Sequence, residues 1–196
     1  MTTKMLRPNV GIYVAAADAF ADWTAPTLTE ITDATKVFNI SPAVTDDYTL
    51  NMTDSATDTS LAVVDNASVS TPTYYNYEAS LDGFRDADTA ADSAYNQFKA
   101  LFADAAVGTK YYLIKRIGKA HTAAFATGDI VSVYGVTTDY AVDIIADGAM
   151  IMIGARFLTT GEVAVNVPVA AGTAGVGPTR KALVGTKIQS NGNLAI

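Results

Sequence analysis

The chain has 196 residues, of which 49% are apolar, and it contains no cysteine. A chain of this size can bury one substantial core, so we expect a single domain. The absence of cysteine excludes disulfide bonds, thiolate catalysis and cysteine-ligated zinc or iron–sulfur sites. The formal charge is −7, and 17 of the 20 acidic residues are aspartate. Aspartate favours turns and helix caps because its short carboxylate competes for backbone donors, which indicates a protein of strands and loops.

The acidic residues are concentrated in the middle of the chain. Residues 41–109 hold 11 acidic and two basic side chains, whereas residues 110–196 hold five acidic and eight basic ones. Nucleic-acid readers normally carry a basic surplus that displaces phosphate counterions. The charge therefore disfavours tight DNA binding, but it is compatible with a surface along which DNA passes without adhering.

The first 35 residues are predicted to form an N-terminal arm. Lys4 and Arg7 precede the apolar run 10–17, which loosely imitates a secretory leader. The run is short and ends at Asp18, so we expect no signal peptide and a cytoplasmic protein. Because no run approaches the roughly 18 apolar residues that span a bilayer, we expect no membrane segment.

Residues 41–72 are predicted to form a long, hairpin-like loop that leaves the body. Ser, Thr, Asp and Asn dominate this loop, and ordered loops of this length usually serve a function such as reaching a partner. Residues 73–81 then alternate as a strand, with Tyr77 among the residues of its apolar face. Asp82 and Gly83 are predicted to turn the chain after this strand.

One amphipathic helix is predicted at about residues 88–107. Its start is capped by Asp86 or Asp88 in this interpretation, and Gly108 ends it. The apolar residues recur three and four positions apart, as on a one-sided helix: Ala91, Ala94, Tyr95, Phe98, Leu101, Phe102 and Ala105. We expect this helix to cover one face or opening of a β core.

Strand-like runs dominate the remainder of the body: 111–117, 130–136, 140–145, 149–153 and 163–169. The second and third runs are predicted to form a hairpin. The fourth run, 149–153, is apolar on both faces, so both of its faces must be covered by other parts of the protein. Pro168 indicates that the fifth run, 163–169, lies at a sheet edge. Residues 170–196 are predicted to form a flexible C-terminal arm. The fold class is therefore mainly β: a sandwich or barrel at residues 36–169, with one packed helix, the long loop and two arms.

No motif indicates catalysis. His121 is the only histidine, and its segment lacks a nucleophile elbow, so a multi-histidine metal site is excluded and a surface role is favoured. The glycine-rich segment 172–181 lacks the Gly-Lys-Ser/Thr of a phosphate loop. The densest carboxylate cluster departs from the EF-hand spacing and is assigned to turns and caps: Asp82, Asp86, Asp88 and Asp92. We predict no enzyme, no cofactor and no metal site.

The order of these parts resembles the major tail protein (tail tube protein) of long-tailed bacteriophages. The resemblance covers residues 36–169 and rests on the order of the loop, the strands and the single helix. The segments that carry it are 51–55 in the loop, 74–81, 82–86 before the helix, 111–118, the Gly128-Asp129 turn and the closing hairpins. It implies six copies in a ring, and rings stacked into a hollow tube that conducts the genome.

The resemblance also implies partners and a location. The partners are copies of the chain and other tail proteins (terminator, tape measure and baseplate), with genomic DNA passing through without specific binding. The location is the virion tail, after assembly in the host cytoplasm. An acidic lumen is typical of this interpretation, and Asp139 and Asp143 are the candidate lumen-facing acids.

Two other classes remain open at this stage. A carbohydrate-binding or adhesin-like β-sandwich would use Tyr74, Tyr75 and Tyr77 to stack on sugars, and it predicts a stable monomer with an exposed aromatic platform. An acidic hydrolase predicts a concave pocket lined by carboxylates with perturbed pKa values. The tube hypothesis predicts instead that self-association is the activity.

Overall fold

A computed structural model describes residues 9–58, 71–89, 92–145 and 150–172, and it confirms the prediction of a mainly β fold. The strands are β1 (Val10–Ala16), β2 (Val37–Asn39), β3 (Thr49–Asp58), β4 (Thr71–Phe84), β5 (Lys110–Ile117), β6 (Ile130–Ile144) and β7 (Met152–Pro168). The helices are α1 (Leu28–Ile31) and α2 (Ala94–Phe102).

The strands form one antiparallel sheet in the order β2-β1-β5-β6-β7-β4-β3. β6 and β7 are the longest strands, with 15 and 17 residues, and register shifts interrupt their pairing. Such bulges bend strands and increase their twist. The sheet therefore coils until Lys115 Nζ on β5 donates a hydrogen bond to the Leu50 carbonyl oxygen on β3, at 2.5 Å. The result is sandwich-like, but it is built from one continuous sheet.

The main core lies inside this coil, under α2. Phe98 and Phe102 of α2 are 0% and 4% exposed and pack on residues from both halves of the sheet. The predicted turn at Asp82 and Gly83 is wrong, because β4 continues to Phe84. A Cβ atom at Gly83 would lie 2.7 Å from the Phe98 ring. Gly83 is thus needed for the close approach of helix and strand, not for a turn.

The helix is shorter than predicted. It covers Ala94–Phe102 instead of residues 88–107, and its N-cap is Ser93, whose side chain accepts a hydrogen bond from the Asn96 amide. Asp86, one of the predicted caps, accepts hydrogen bonds from the Ser93 hydroxyl at 2.6 Å and from the Asp88 amide at 3.0 Å. These local bonds give the preceding backbone an alternative to the helix.

The prediction that residues 1–35 form an arm is wrong for the residues that the structure describes. β1 is hydrogen-bonded to β2 on one side and to β5 on the other. Its residues are buried on both faces, as Val14 and Ala15 show with 1% and 0% exposure. The apolar run that imitates a leader is therefore an inner strand covered on both sides, which requires apolar residues on both faces.

A second core, here called the outer core, covers the opposite face of β1, β5 and β6. Tyr13, Ile114 and Val133 contribute to it from the sheet. α1 contributes Ile31, and the segment before it contributes Phe20. α1 is short, but it is fixed by reciprocal hydrogen bonds between Thr27 and Glu30, a capping box. This second layer explains why residues 9–35 cannot be a detached arm.

The predicted loop at residues 41–72 is partly strand. β3 pairs with β4 over its length, from the Thr49–Ser80 pair to the Asp58–Thr71 pair. Ala43 and Leu50 are fully buried, so the base of the predicted loop belongs to the main core. Residues 59–70 lie outside the described part.

The predicted hairpin within residues 130–145 is a single strand, β6, with a bulge after Thr138. Threonine and valine around the expected turn favour extended backbone. The Thr138 amide donates a hydrogen bond to the Thr109 carbonyl oxygen at 2.9 Å. The Thr138 hydroxyl donates another to the Ala106 carbonyl oxygen at 3.0 Å. These two bonds hold this point of β6 to the chain before β5. At the C-terminal end, Ala170 bridges to Thr27, and residues 173–196 of the predicted arm lie outside the described part.

Candidate assembly surface

Large apolar side chains are exposed where β6 ends and β7 begins. We call this cluster the apolar tip: Val142, Ile145, Met150 and Ile151, with exposed fractions of 42%, 71%, 72% and 47%. The Ile151 carbonyl oxygen accepts a hydrogen bond from the Arg85 amide at 3.1 Å, which ties the tip to the end of β4. Single exposed apolar residues are common, but a cluster at one end of a fold is typical of an interaction surface.

A groove of about 430 Å³ opens beside the apolar tip. Met150 lines one side of it, and Tyr95 and Lys99 of α2 line another. Arg85 also lines the groove, and its guanidinium forms an ion pair with Asp143 at 3.2 Å. The tip and the groove thus combine an apolar centre with charged surroundings, as protein–protein interfaces do.

β3 is an open sheet edge, since β4 is its only partner among the described residues. The part of β7 after Arg156 also pairs with β6 alone there, in agreement with the edge position predicted from Pro168. On this second edge, however, the Thr160 and Gly161 amides donate to the Tyr77 hydroxyl at 3.0 and 3.2 Å. β3 is also engaged by side chains, since Lys115 donates to the Leu50 carbonyl oxygen and Asn76 to the Asp54 carbonyl oxygen, so both edges are candidates to accept a further strand.

The candidate acids Asp139 and Asp143 lie on one strand but are not brought together. Asp139 and Tyr140 oppose the single residue Arg156 of β7 at the bulge. Asp143 lies beyond the bulge, opposite the core residue Ile153. Directly paired residues share a face of the sheet. Asp143 is thus on the core side of the sheet, at the margin of the main core, where its carboxylate is exposed and ion-paired.

The residues weighed for chemistry have structural contacts. The His121 carbonyl oxygen accepts hydrogen bonds from the Tyr13 hydroxyl at 3.0 Å and the Asn39 side chain at 3.1 Å, which holds the following loop over the outer core. Asp82 forms an ion pair with Arg156 at 2.8 Å. Among the described residues, no group of three acidic or histidine side chains is arranged to hold a metal ion.

Tyr77 cannot serve as a sugar-stacking platform. Its side chain is 5% exposed, and its hydroxyl is engaged with β6 and β7. The side chains of Tyr74 and Tyr75 lie outside the described part. The aromatic platform of the carbohydrate-binding hypothesis therefore lacks one of its three residues.

Glu162 and Asp129 have lowered pKa values because of their ion pairs. Burial by itself raises the pKa of Glu162, but hydrogen bonds from Lys110 and Tyr112 outweigh it. Burial likewise opposes the shift at Asp129, where the bond from Lys119 is the largest lowering influence on the pKa. A general acid at neutral pH needs a raised pKa. These two carboxylates instead stabilise strand and loop contacts as ionised groups.

Comparison with known proteins identifies a family for the chain. Residues 1–172 match the family model described as phage tail tube protein, which is 172 of the 196 residues. The match includes the first 35 residues, in keeping with the place of β1 inside the sheet. No curated protein matches the chain. Neither α1 nor α2, the helices of the described residues, has the length and apolar content needed to cross a membrane.

Proposed function

Because the chain belongs to the phage tail tube protein family, we propose that it is a non-enzymatic structural subunit that assembles with copies of itself into hexameric rings. The rings stack into a hollow tube in the virion tail, and the genome passes through it. Assembly takes place in the host cytoplasm. At its ends and in its lumen the tube meets other tail proteins: the terminator, the baseplate and the tape measure.

The apolar tip is the observation that carries this proposal. Met150 and Ile145 each expose more than two thirds of their surface, at 72% and 71%. Removing such surface from water stabilises an interface by about 25 cal/mol per Å² of apolar area buried. A neighbouring copy in a closed ring provides this cover in every subunit at once, since symmetry repeats the same contact.

The open edge of β3 supports the same proposal. An unpaired edge exposes a row of backbone donors and acceptors and invites pairing with another chain. In a ring, the neighbouring copy pairs with this edge, so each subunit extends the sheet of the next. Asn51 and Thr53 keep the edge polar and exposed, which favours pairing only with a matched strand.

The charge of the chain suits a conduit for DNA. A formal charge of −7 repels phosphate groups, so DNA passes without specific binding. Asp139 and Asp143 are the proposed lumen-facing acids. Asp143 is ion-paired with Arg85, so Asp139 contributes the larger part of the repulsion in this proposal.

The experiment compares assembly of the wild type, the double variant Met150→Glu/Ile151→Glu and the control Val107→Glu. Val107 is 72% exposed, like Met150, but lies outside the apolar tip. We expect rings or hollow filaments by negative-stain microscopy for the wild type and the control, and folded monomers for the double variant. A wild type that stays monomeric at all concentrations, or a double variant that assembles normally, would contradict the proposal.

A further inference from the structure

His121, the only histidine of the chain, lies in the loop between β5 and β6. We call residues 118–129 the β5–β6 loop. Phe125 of this loop packs on the outer core, with its ring centroid 4.9 Å from that of Tyr13 and 4.3 Å from the guanidinium carbon of Arg116. Arg116 is fully buried and donates to two carbonyl oxygens of the loop, at 2.7 and 2.8 Å. The loop therefore covers part of the outer core.

Asn39 of β2 faces His121, and the orientation of its side-chain amide is fixed. The Ser41 backbone amide donates a hydrogen bond to Asn39 Oδ1 at 3.1 Å. A backbone amide only donates, so the atom that it meets must be the oxygen, and the Nδ2 group points the other way. Asn39 Nδ2 lies 3.1 Å from the His121 carbonyl oxygen and 3.4 Å from His121 Nδ1. Its two hydrogens thus serve two acceptors on the same residue.

The contact at Nδ1 requires a neutral imidazole. Asn39 Nδ2 is a donor, so His121 Nδ1 must be the acceptor. A neutral imidazole accepts at one ring nitrogen, whereas a protonated one donates at both. Protonation of His121 therefore places two donors against each other at a distance of 3.4 Å. The hydrogen bond between the ring and β2 is lost in that state.

The other described titratable side chains that hold the loop keep their charge between pH 5 and pH 8. Burial raises the pKa of Tyr13, whose neutral hydroxyl donates to the His121 carbonyl oxygen. Burial opposes the ionisation of Asp129, but the bond from Lys119 and further contacts lower its pKa. Lys119 and Arg116 pair with Asp129 at 2.5 and 3.5 Å, and both types of base are protonated throughout this range. Histidine is the side chain whose charge ordinarily changes within it.

We propose that His121 is a pH-sensitive latch for the β5–β6 loop. In its neutral form it accepts a hydrogen bond from Asn39 and fastens the loop to β2. In its protonated form it loses this bond, so the loop opens more often and exposes Phe125 and the outer core beneath it. The proposal is independent of ring formation, because it concerns contacts within one chain.

Amide hydrogen exchange of the β5–β6 loop tests the proposal in dilute full-length protein. Mass spectrometry follows the peptide with the loop, whose Ala123 amide donates to the Ala120 carbonyl oxygen at 2.9 Å. The reference is the peptide around Leu113, which is fully buried in β5. After correction for the intrinsic effect of pH on exchange, we expect the loop to exchange about fivefold faster at pH 5 than at pH 8, as the loss of one hydrogen bond implies. Equal corrected rates at the two pH values would overturn the proposal.

Two variants decide whether His121 is responsible for the effect of pH. His121→Gln keeps an acceptor for Asn39 and does not titrate, so the pH dependence of loop exchange should disappear. Asn39→Asp replaces the donor by a carboxylate, which accepts from the protonated ring. The loop of this variant should exchange more slowly at pH 5 than at pH 8. A pH effect that persists in His121→Gln, or that keeps its direction in Asn39→Asp, would show that the latch does not exist.

The ring of His121 provides a second measurement without any substitution. Since it is the only histidine, its ring proton signals in an NMR spectrum are assigned directly. We expect these signals and the loop exchange to change over the same pH interval. If the two changes are centred at different pH values, another group opens the loop and the proposal fails.

Discussion

The Tyr77 hydroxyl on β4 donates a hydrogen bond to the Gly135 carbonyl oxygen on β6. The same oxygen of Tyr77 accepts from the Thr160 and Gly161 amides of β7. One side chain thus connects three strands at the bend of the sheet. Gly135 has no space for a Cβ atom there, because that atom would overlap the Thr160 hydroxyl. The bend therefore depends on one tyrosine oxygen and on one glycine.

Tyr77→Phe is expected to lower the free energy of unfolding by about 1–3 kcal/mol, because it removes the hydrogen bond to the buried carbonyl oxygen of Gly135. Urea denaturation measures the effect, in the Met150→Glu/Ile151→Glu background so that assembly does not contribute. Tyr140→Phe is the matched control, since Tyr140 is 55% exposed. If Tyr77→Phe lowers the free energy of unfolding no more than the control does, water replaces the hydroxyl at the bend.

Gly83→Ala is expected to destabilise the fold by about 1–3 kcal/mol, as overpacking of a core does. The new methyl group would collide with the Phe98 ring, which lies 2.7 Å from the Cβ position. Phe98→Leu provides the test of cause. If the collision is responsible, Gly83→Ala destabilises the Phe98→Leu protein less than the wild type, and a double-mutant cycle measures the difference. Additive effects would contradict this explanation.

Asp129→Asn is expected to lower stability at neutral pH and to have less effect in acid. Asp129 is buried, and its carboxylate accepts hydrogen bonds from Lys119 Nζ at 2.5 Å and from the Ala126 amide at 3.1 Å. Burial by itself raises the pKa of Asp129, but these contacts together with Arg116 lower it below its ordinary value of 3.8. A lowered pKa stabilises the fold above pH 3.8, and this contribution disappears as the pH falls through the folded-state value.

Thermal unfolding between pH 2 and pH 7 checks this prediction. The difference in melting temperature between the wild type and Asp129→Asn should be constant near neutrality and should become progressively smaller below about pH 4. Asp54→Asn, at an exposed position of β3, removes the same charge and serves as the control for the change in net charge. A constant difference down to pH 2 would show that the carboxylate charge is not what Asp129 contributes.

Replacing residues 59–70 by Asn-Gly is expected to keep the fold and abolish stacking of rings. Asp58 and Thr71 are paired, so a two-residue turn can close the hairpin between β3 and β4. A larger deletion, of residues 43–71, removes the fully buried Ala43 and Leu50 and should unfold the chain. Circular dichroism distinguishes the two deletions, and microscopy reports stacking. Normal tubes from the variant that lacks residues 59–70 would show that these residues are not needed for stacking.

The local sequence pattern predicted those strands in which apolar and polar residues alternate. Residues 73–81 place Tyr77 and Leu81 on one face, and both are buried in β4. The predicted strand 111–117 is β5 with one more residue at its start. In β4 the period of two reports directly which face is covered. β5, by contrast, is buried at three consecutive residues, Tyr112, Leu113 and Ile114, and therefore on both faces. The helix was predicted from apolar residues three and four positions apart. Its start was not predicted, because hydrogen bonds to the Asp86 carboxylate compete with helix formation there.

The surface that carries the proposed function was only partly visible in the sequence. Apolar residues on both faces at 149–153 indicated that this segment needs a second cover, and Met150 and Ile151 are indeed exposed. Val142 and Ile145 were not predicted to belong to this surface, because the hairpin predicted around them gave no reason to expect that their side chains are exposed. Their location became clear only when β6 proved to be one long strand.

By itself, the sequence determined the β content, the approximate position of the helix, the absence of cysteine chemistry and the acidic character. These depend on composition and on patterns within a few residues. Only the tertiary structure decided that the leader-like run is an inner strand, that Gly83 makes room for Phe98 and that Asp139 and Asp143 lie apart. Those facts depend on pairing and packing between residues far apart in the chain, which local propensity does not encode.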